Sequence, residues 1–456
     1  MTAEALPTGR PAQSSLTADV LGLAAIGLML ACLLLGGATR ENARLVAILD
    51  LMALPLALAS AWRLAGSHGV RSVLAPLVLV AVIVLLPLIQ LIPLPFELWA
   101  GLPGRAALAE ALQRAGAAPA ALPMSVTPDL TLRSAMALIP PVAVFLASLQ
   151  MSVGARRRAI EMVLVVVLVS IVLGLLQVAT GADSPLRPYA DTNLTSAVGF
   201  FANRNHQAAL LVIAIPLAAA WAVDQGDKHV RWLAVALAVL AVAGIGAARS
   251  RAGILLTAPA LLGAVMLILM GAGRHRRGRR QLGIAFGAVA LAGALLTAVM
   301  AGGGIVERFE DRAESDIRLD ALPDVLALAD TYAPLGSGIG AFEPAYRVVE
   351  RTETVGPTFL NHAHNDYAEL WVEAGIAGAV TVLAFLIWAL VAAIGIWRGP
   401  ARGGAPAYNR AATLVVALLA VHSFVDYPLR TLALAGVFAF ACGLLAAPTP
   451  LTRVRR

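Results

Sequence analysis

Long apolar stretches separated by shorter polar ones run through the whole chain. A membrane-spanning helix needs roughly 20 apolar residues. By that measure the pattern predicts twelve spans, at about 18–37, 45–62, 72–93, 133–152, 159–180, 207–223, 232–248, 252–272, 282–301, 372–397, 411–425 and 431–447. Pro140-Pro141 interrupts the fourth. The last two are short and are joined by the polar corner Asp426-Tyr427-Pro428-Leu429-Arg430. No cleavage site follows the first span, which therefore reads as an anchor and not as a removed signal peptide.

Three polar segments are long enough to hold structure. Segment 94–132 carries Pro95, Trp99, Pro103 and an amphipathic helix at 105–115, and segment 181–206 ends in Gly199-Phe200-Phe201-Ala202-Asn203-Arg204-Asn205-His206. Segment 303–371 holds thirteen acids and five arginines, a content that keeps it out of hydrocarbon and suggests a small helical subdomain. Its first helix is expected around 306–330, where Glu314 and Arg318 sit at i,i+4. The run Gly336-Ser337-Gly338-Ile339-Gly340 follows. It lacks the Lys-Ser/Thr ending and the preceding strand of a phosphate loop, so it reads as a backbone turn.

Composition agrees with the pattern. The chain is 59% hydrophobic and 13% charged, with a mean hydropathy of +0.82. These values exclude an ordinary soluble globular protein. The expected fold is an all-α integral membrane protein with about 12 transmembrane helices and a large helical loop. The formal net charge is +7, and its placement sets the orientation. Arg156-Arg157-Arg158, the Arg274–Arg280 cluster and Arg453, Arg455 and Arg456 fall on one side of the predicted spans. By the positive-inside rule that side is cytoplasmic, which also puts both termini there. Nucleic-acid binding by the Arg274–Arg280 cluster is disfavoured, because spans flank it and it holds no aromatic residue. Cys32 and Cys442 lie in apolar spans and read as small buried hydrophobes.

Two groups of residues invite chemistry. Arg249 and Arg251 lie at the extracytoplasmic ends of the seventh and eighth spans, against the charge rule, and Arg204 sits at a similar depth before the sixth. Arginine's planar fork suits phosphate oxygens, so the three fit the head group of a lipid-linked diphosphate. Snorkelling to lipid phosphates, or pairing with nearby acids, would also place them there. The second group is Asn361-His362-Ala363-His364-Asn365-Asp366-Tyr367-Ala368-Glu369, an ionisable run at a membrane boundary. If residues 362–373 form a helix, His362, Asp366, Glu369 and Glu373 share one face, and Asn365 lies on an overlapping ladder with the two glutamates. His364 then points elsewhere unless it precedes the helix, for which Asn361 or Asn365 is the cap. A histidine can take a hydroxyl proton and carboxylates can orient it. A polar cap on the tenth span is the plain alternative. A metal site is not expected, since His-x-His has no HExxH or cysteine partner. In the corner, His422, Asp426 and Arg430 are four apart. An internal Asp426–Arg430 or His422–Asp426 pair is expected to fix it as a structural element.

The polar run followed by Leu370-Trp371-Val372-Glu373-Ala374-Gly375-Ile376-Ala377-Gly378 resembles the hallmark segment of the O-antigen ligase/polymerase superfamily. Phe201–His206, Ser250-Arg251-Ala252-Gly253, the Arg318 helix followed by Pro334–Phe342, and the His422–Arg430 corner agree in order, over roughly residues 190–430. The resemblance implies a glycosyltransferase of the bacterial inner membrane with a periplasmic active site and no nucleotide-sugar or metal cofactor. The donor would be a glycan on undecaprenyl diphosphate, and the acceptor a sugar hydroxyl on a glycolipid or growing polysaccharide. By motif position His364 would be the catalytic base, Arg251 and Arg318 the diphosphate-binding pair and Arg204 a further contact. His362, Asn365, Glu369 and Glu373 would hold the acceptor or support the base. Direct displacement of the diphosphate would invert the anomeric centre. The expected units are a cytoplasmic tail (1–17), an N-terminal bundle (18–180), core helices (181–302), the periplasmic helical loop with the active-site segment (303–371), and C-terminal helices with a basic tail (372–456). A transporter of an anionic solute is the competing class. It would show symmetry between halves and broken helices at mid-membrane.

Overall fold

The computed structural model describes residues 12–39, 43–67, 69–270, 276–302, 312–351, 360–399 and 406–451. The N-terminal tail up to residue 11, Arg274 and the C-terminal arginines lie outside them. In chain order the helices are α1 (Ala12–Leu35), α2 (Ala43–Ala65), α3 (Leu74–Gln90), α4 (Phe96–Ala100), α5 (Ala106–Arg114), α6 (Pro128–Met136), α7 (Ile139–Ser148), α8 (Val153–Ala179) and α9 (Arg204–Gln225). They continue with α10 (Lys228–Ala248), α11 (Arg251–Leu269), α12 (Arg276–Gly302), α13 (Arg312–Tyr332), α14 (Phe342–Val349), α15 (Asp366–Arg398), α16 (Pro406–His422) and α17 (Leu432–Ala446). Between α3 and α6, Pro93–Pro95 pairs antiparallel with Ala121–Pro123.

Each of the twelve apolar stretches overlaps a helix, so the all-α reading holds. The count of twelve crossings is not supported as it stands. Among the described residues eight helices are long and apolar enough to cross a membrane, and Asp19–Leu35 and Leu432–Ala446 are shorter apolar helices. The fourth stretch is split between α6 and α7, with Pro140 in the first turn of α7. Proline is tolerated there because the first-turn N–H has no helical partner.

Helix α9 is the axis of the core. Its residues from Asn205 to Ala220 are all buried, against α8, α10, α11 and α16. Water supplies no driving force between helices in lipid, so close packing and hydrogen bonds must hold them. The alanines of α9 (Ala208, Ala209, Ala214, Ala218, Ala219 and Ala220) bring its backbone close to its neighbours. At the end of the bundle away from the candidate site, buried arginines cap helix C-termini. Arg156 donates to the Ser148 carbonyl at the end of α7 (3.2 Å), and Arg410 to the Met270 carbonyl after α11 (2.8 Å). Both meet the negative end of a helix dipole.

A second apolar cluster lies outside the bundle. Ala321, Val325, Leu328 and Tyr332 of α13 pack with Phe342 and Tyr346 of α14 and with Val372 of α15. Segment 303–371 thus includes a packed helical subdomain, as its composition suggests. Glu307, Glu310 and Asp311 of the expected helix 306–330 lie outside the described residues.

Candidate functional site

The first half of the site is built from two helix N-termini. Asn203 caps α9 through the Asn205 N–H (2.7 Å), and Ser250 caps α11 through the Gly253 N–H (3.1 Å). The Ser250 hydroxyl also donates to Asn205 Oδ1 at 2.8 Å, which ties the α11 cap to the first turn of α9. Arg204 and Arg251 are therefore the first residues of adjacent helices. Arg249 ends α10 in the left-handed conformation, φ 54°. The N-terminus of a helix carries the positive end of its dipole and favours anions. Arginines at two such ends reverse the usual stabilising arrangement.

The second half is built around the start of α15. Asn365 is its cap, accepting from the N–H groups of Tyr367 and Ala368 (both 3.0 Å). Both histidines therefore precede the helix. His362 still reaches the helix face expected of it, with Nδ1 2.7 Å from Glu369 Oε1. The other Glu369 oxygen accepts from the Ala363 N–H (2.9 Å). His364 adopts φ 49°, a left-handed backbone that histidine enters more readily than most residues. Its Nδ1 lies 3.0 Å from Asp426 Oδ1.

The described ion pairs of the corner side chains run to other chain segments. Arg430 lies 3.3 Å from Asp366, 3.0 Å from Glu369 and 3.0 Å from Glu373. Asp426 meets His364 at 3.0 Å and lies 3.9 Å from Nε2 of His206. The expected Asp426–Arg430 or His422–Asp426 pair is thus replaced by contacts across chain segments. The reason lies in charge and geometry. Asp366, Glu369 and Glu373 face one side of α15, so their combined charge draws the nearest cation. The α-helical path ends at His422, before Asp426, and Pro428 opens the 3-10 turn Pro428–Arg430, which turns the guanidinium towards α15. Burial lowers the guanidinium pKa, but Glu369, Glu373 and Asp366 more than offset it and raise it above its ordinary value.

Tyr427 stands at the centre of the cluster, with ring centroids 4.3 Å from His362, 4.9 Å from His364 and 5.0 Å from His206. His206 is 2% exposed and His422 1% exposed, and their ring nitrogens lack hydrogen-bond partners among the described residues. Neither His206 nor Tyr427 stands out as a site residue in the sequence. An ionisable residue at the head of an apolar span was the available signal for His206. Among the described residues no three of His, Cys, Asp and Glu are placed to hold a metal ion. Arg318 lies on α13, and its side chain is outside the described region.

A third layer supports Glu373 from behind. Its Oε1 accepts from the Gly340 N–H (2.9 Å) and the Phe342 N–H (3.3 Å). The glycine run is a backbone turn that docks into a kink of α15 at Gly375, φ 53°, ψ −141°. A Cβ there would collide with the Pro334 carbonyl oxygen. Residues of segment 90–126 clasp the same turn. Gln90 donates to the Glu373 carbonyl and accepts from the Ile339 N–H. The fully buried Arg105 donates to the carbonyls of Met124 and Gly336, both at 2.8 Å. No sequence pattern signals this clasp, because Arg105 lies far along the chain from the turn it holds.

Residues 236–383 match the family model described as O-antigen ligase. No curated protein sequence matches the chain. The matched stretch includes Arg251, Arg318, His362, His364 and Glu373, whereas Arg204, His206, Asp426 and Arg430 lie outside it, and the fold brings the last three into the cluster around residues 362–373. The apolar helices make the chain an all-α membrane protein whose residues 236–383 are similar to the O-antigen ligase family.

Proposed function

We propose that the protein is an inverting glycosyltransferase that moves a glycan from undecaprenyl diphosphate to a sugar hydroxyl at the periplasmic face of the bacterial inner membrane. The observation that carries this reading is the convergence of two halves. The tied N-termini of α9 and α11 bear Arg204 and Arg251, and His206 of α9 faces Asp426, the partner of His364. This supports a reading in which an anion site at the start of α9 adjoins a proton acceptor at His364.

The chemistry follows from that pairing. The diphosphate leaves with the electron pair of the anomeric C–O bond, and the arginines and helix ends meet its charge. His364 takes the proton of the incoming hydroxyl. A charge-neutralised diphosphate departs without protonation, so the carboxylate pair of a glycoside hydrolase is not required. Arg318, on α13, is assigned to the same diphosphate by its motif position, and His362, Asn365, Glu369 and Glu373 to the acceptor side.

Arg251→Ala and His364→Ala are expected to abolish surface glycan assembly while the protein still inserts in the membrane. Normal assembly in both variants would remove these residues from the reaction. Glycan analysis of a deletion strain separates the two members of the class. Unattached lipid-linked polymer indicates a ligase, and single lipid-linked repeat units indicate a polymerase. A strain with unaltered surface glycan argues for the transporter class instead.

A further inference from the structure

The arginines that follow α11 take no part in the proposed reaction and lie at the far end of that helix from Arg251. We propose that they form a binding site for an anionic phospholipid of the leaflet that the positive-inside rule makes cytoplasmic. The phosphate diester of the lipid sits among the guanidiniums, and its acyl chains run down the outer face of α11. The site stands apart from the glycosyltransferase reading and does not depend on it.

The geometry begins with a cavity. Arg277, Arg279 and Arg280 line about 620 Å³ together with Leu269, the last residue of α11. Arg231 of α10 joins them. Gly278 leaves the room that its guanidinium fills, and a Cβ at that position would collide with Nη1 of Arg231. Helices α10 and α12 thus bring four guanidiniums together, and like charges repel unless an anion meets them. Among the described residues no carboxylate stands within ion-pair distance of Arg231, Arg277 or Arg280. Asp227, the acid nearest Arg231 in the chain, is engaged as the cap of α10, where it accepts from the N–H groups of His229 (2.7 Å) and Val230 (3.2 Å).

Depth and apolar surface favour a lipid over a free anion. Trp232 follows Arg231 and is 66% exposed. Tryptophan settles at the membrane–water interface, which puts the arginines at head-group level. Leu262, Met266 and Leu269 recur at i, i+4 and i+7, so they share one face of α11, and all three are exposed. Leu269 reaches over Gly283 of α12, beside the exposed Ile284. A free phosphate or a nucleic-acid backbone gains nothing from that stripe, whereas an acyl chain does. Basic pockets between membrane helices on the cytoplasmic side suit anionic head groups. The positive-inside rule by itself places arginines in this loop, but it calls for neither a cavity nor a glycine that seats Arg231. A lipid bound here ties the ends of α10, α11 and α12.

The experiment uses the full-length protein in neutral detergent. Dioleoyl phosphatidylglycerol is compared with dioleoyl phosphatidylcholine, which has the same chains and no net charge. Inorganic phosphate and glycerol phosphate supply the anion without the chains. Binding is read as lipid retained in native mass spectrometry and as a rise in the thermal midpoint. Phosphatidylglycerol should be retained and raise the midpoint, and the other three should not match it. Arg277→Gln combined with Arg280→Gln should weaken its binding about thirtyfold. Gly278→Ala keeps every charge but displaces Arg231, and should weaken binding about fivefold.

Equal binding of phosphatidylcholine, or an equal effect of inorganic phosphate or glycerol phosphate, overturns the lipid assignment. A poly(dT) oligonucleotide that binds more tightly than phosphatidylglycerol overturns it in favour of nucleic acid. Wild-type affinity in the double variant removes the arginines from the site. Wild-type affinity in Gly278→Ala overturns the built site and leaves only diffuse attraction to the leaflet. If the double variant does not insert, Gly278→Ala still decides, because it leaves the charge that sets orientation unchanged. No glycan enters the measurement, so failure of the transferase reading and failure of this one are told apart.

Discussion

Arg430 shows how much one residue can organise. It meets three carboxylates of α15 at 3.0–3.3 Å, two of them on side chains that are essentially inaccessible. Removing the partner of a buried charge costs about 3–5 kcal/mol, because the remaining charge has no water to return to. Arg430→Met should therefore lower the thermal midpoint of the detergent-solubilised protein markedly. Arg430→Lys should fall between, since an ammonium is a point charge and cannot fork to three acids at once. A melting curve unchanged in Arg430→Met would show that the clamp contributes nothing. The sign of the pH effect is also fixed. The raised guanidinium pKa means that its contribution is full below the unfolded value and is lost only above the folded one. The clamp should not weaken on the alkaline side up to about pH 10. The sequence showed that charged residues gather in 361–373 and 422–430 but not who pairs with whom. His422, Asp426 and Arg430 at four-residue spacing suggest a local pair, whereas the partners of Arg430 lie 57 and 64 residues away. Local spacing carries no information about such contacts.

At the scale of elements, α15 is where sequence and structure diverge most usefully. The run 372–397 reads as one straight span, and its hydrophobic pattern continues across Gly375 without a break. The structure bends there, because the Pro334–Gly340 turn presses its backbone into the helix. The Ile376 N–H is donated to the Pro334 carbonyl (2.9 Å), and the Val372 and Glu373 carbonyls accept from Ser337 and Gly338. The bend aims Glu373 at Arg430 while its other oxygen holds Gly340 and Phe342. Gly375→Ala would need a strained backbone and a Cβ in collision with the Pro334 oxygen. The strain alone costs about 1–3 kcal/mol, and relief means moving the turn off Glu373. The expected result is faster proteolysis within residues 312–351 and loss of surface glycan assembly, in a protein that still reaches the membrane. Wild-type proteolysis and assembly in Gly375→Ala would show that the docked turn does not shape the site. The N-cap was legible: Asn365 was one of two candidates, and its side chain makes the cap. The clasp by Gln90 and Arg105 was not, since neither residue stands in a motif and both act on backbone groups.

At the scale of the whole molecule, membrane class and the family resemblance of residues 236–383 could be read from the chain, because hydropathy and ordered motifs are one-dimensional. The number of crossings could not, because short apolar helices such as α17 carry the same apolar signal as full spans. The fold divides labour between its segments. On the proposed reading the α9 and α11 ends supply positive charge, while the loop before α15 supplies His362 and His364 and α15 supplies Asp366, Glu369 and Glu373. That division has a measurable consequence on the proposed reading. A ligand that binds the folded state stabilises it by an amount set by its concentration relative to Kd, about 2.7 kcal/mol at a hundredfold excess. Undecaprenyl diphosphate, the product that would leave the site, should raise the thermal midpoint of the wild-type protein in detergent. Arg204→Ala and Arg251→Ala should lose most of that shift, because each removes a charged contact to phosphate. His364→Gln should keep the shift while losing turnover, because the base meets the acceptor and not the diphosphate. Increasing salt should reduce the wild-type shift, since the exposed part of the attraction is screened. If His364→Gln loses the shift and the arginine variants keep it, the two halves have been assigned the wrong way round.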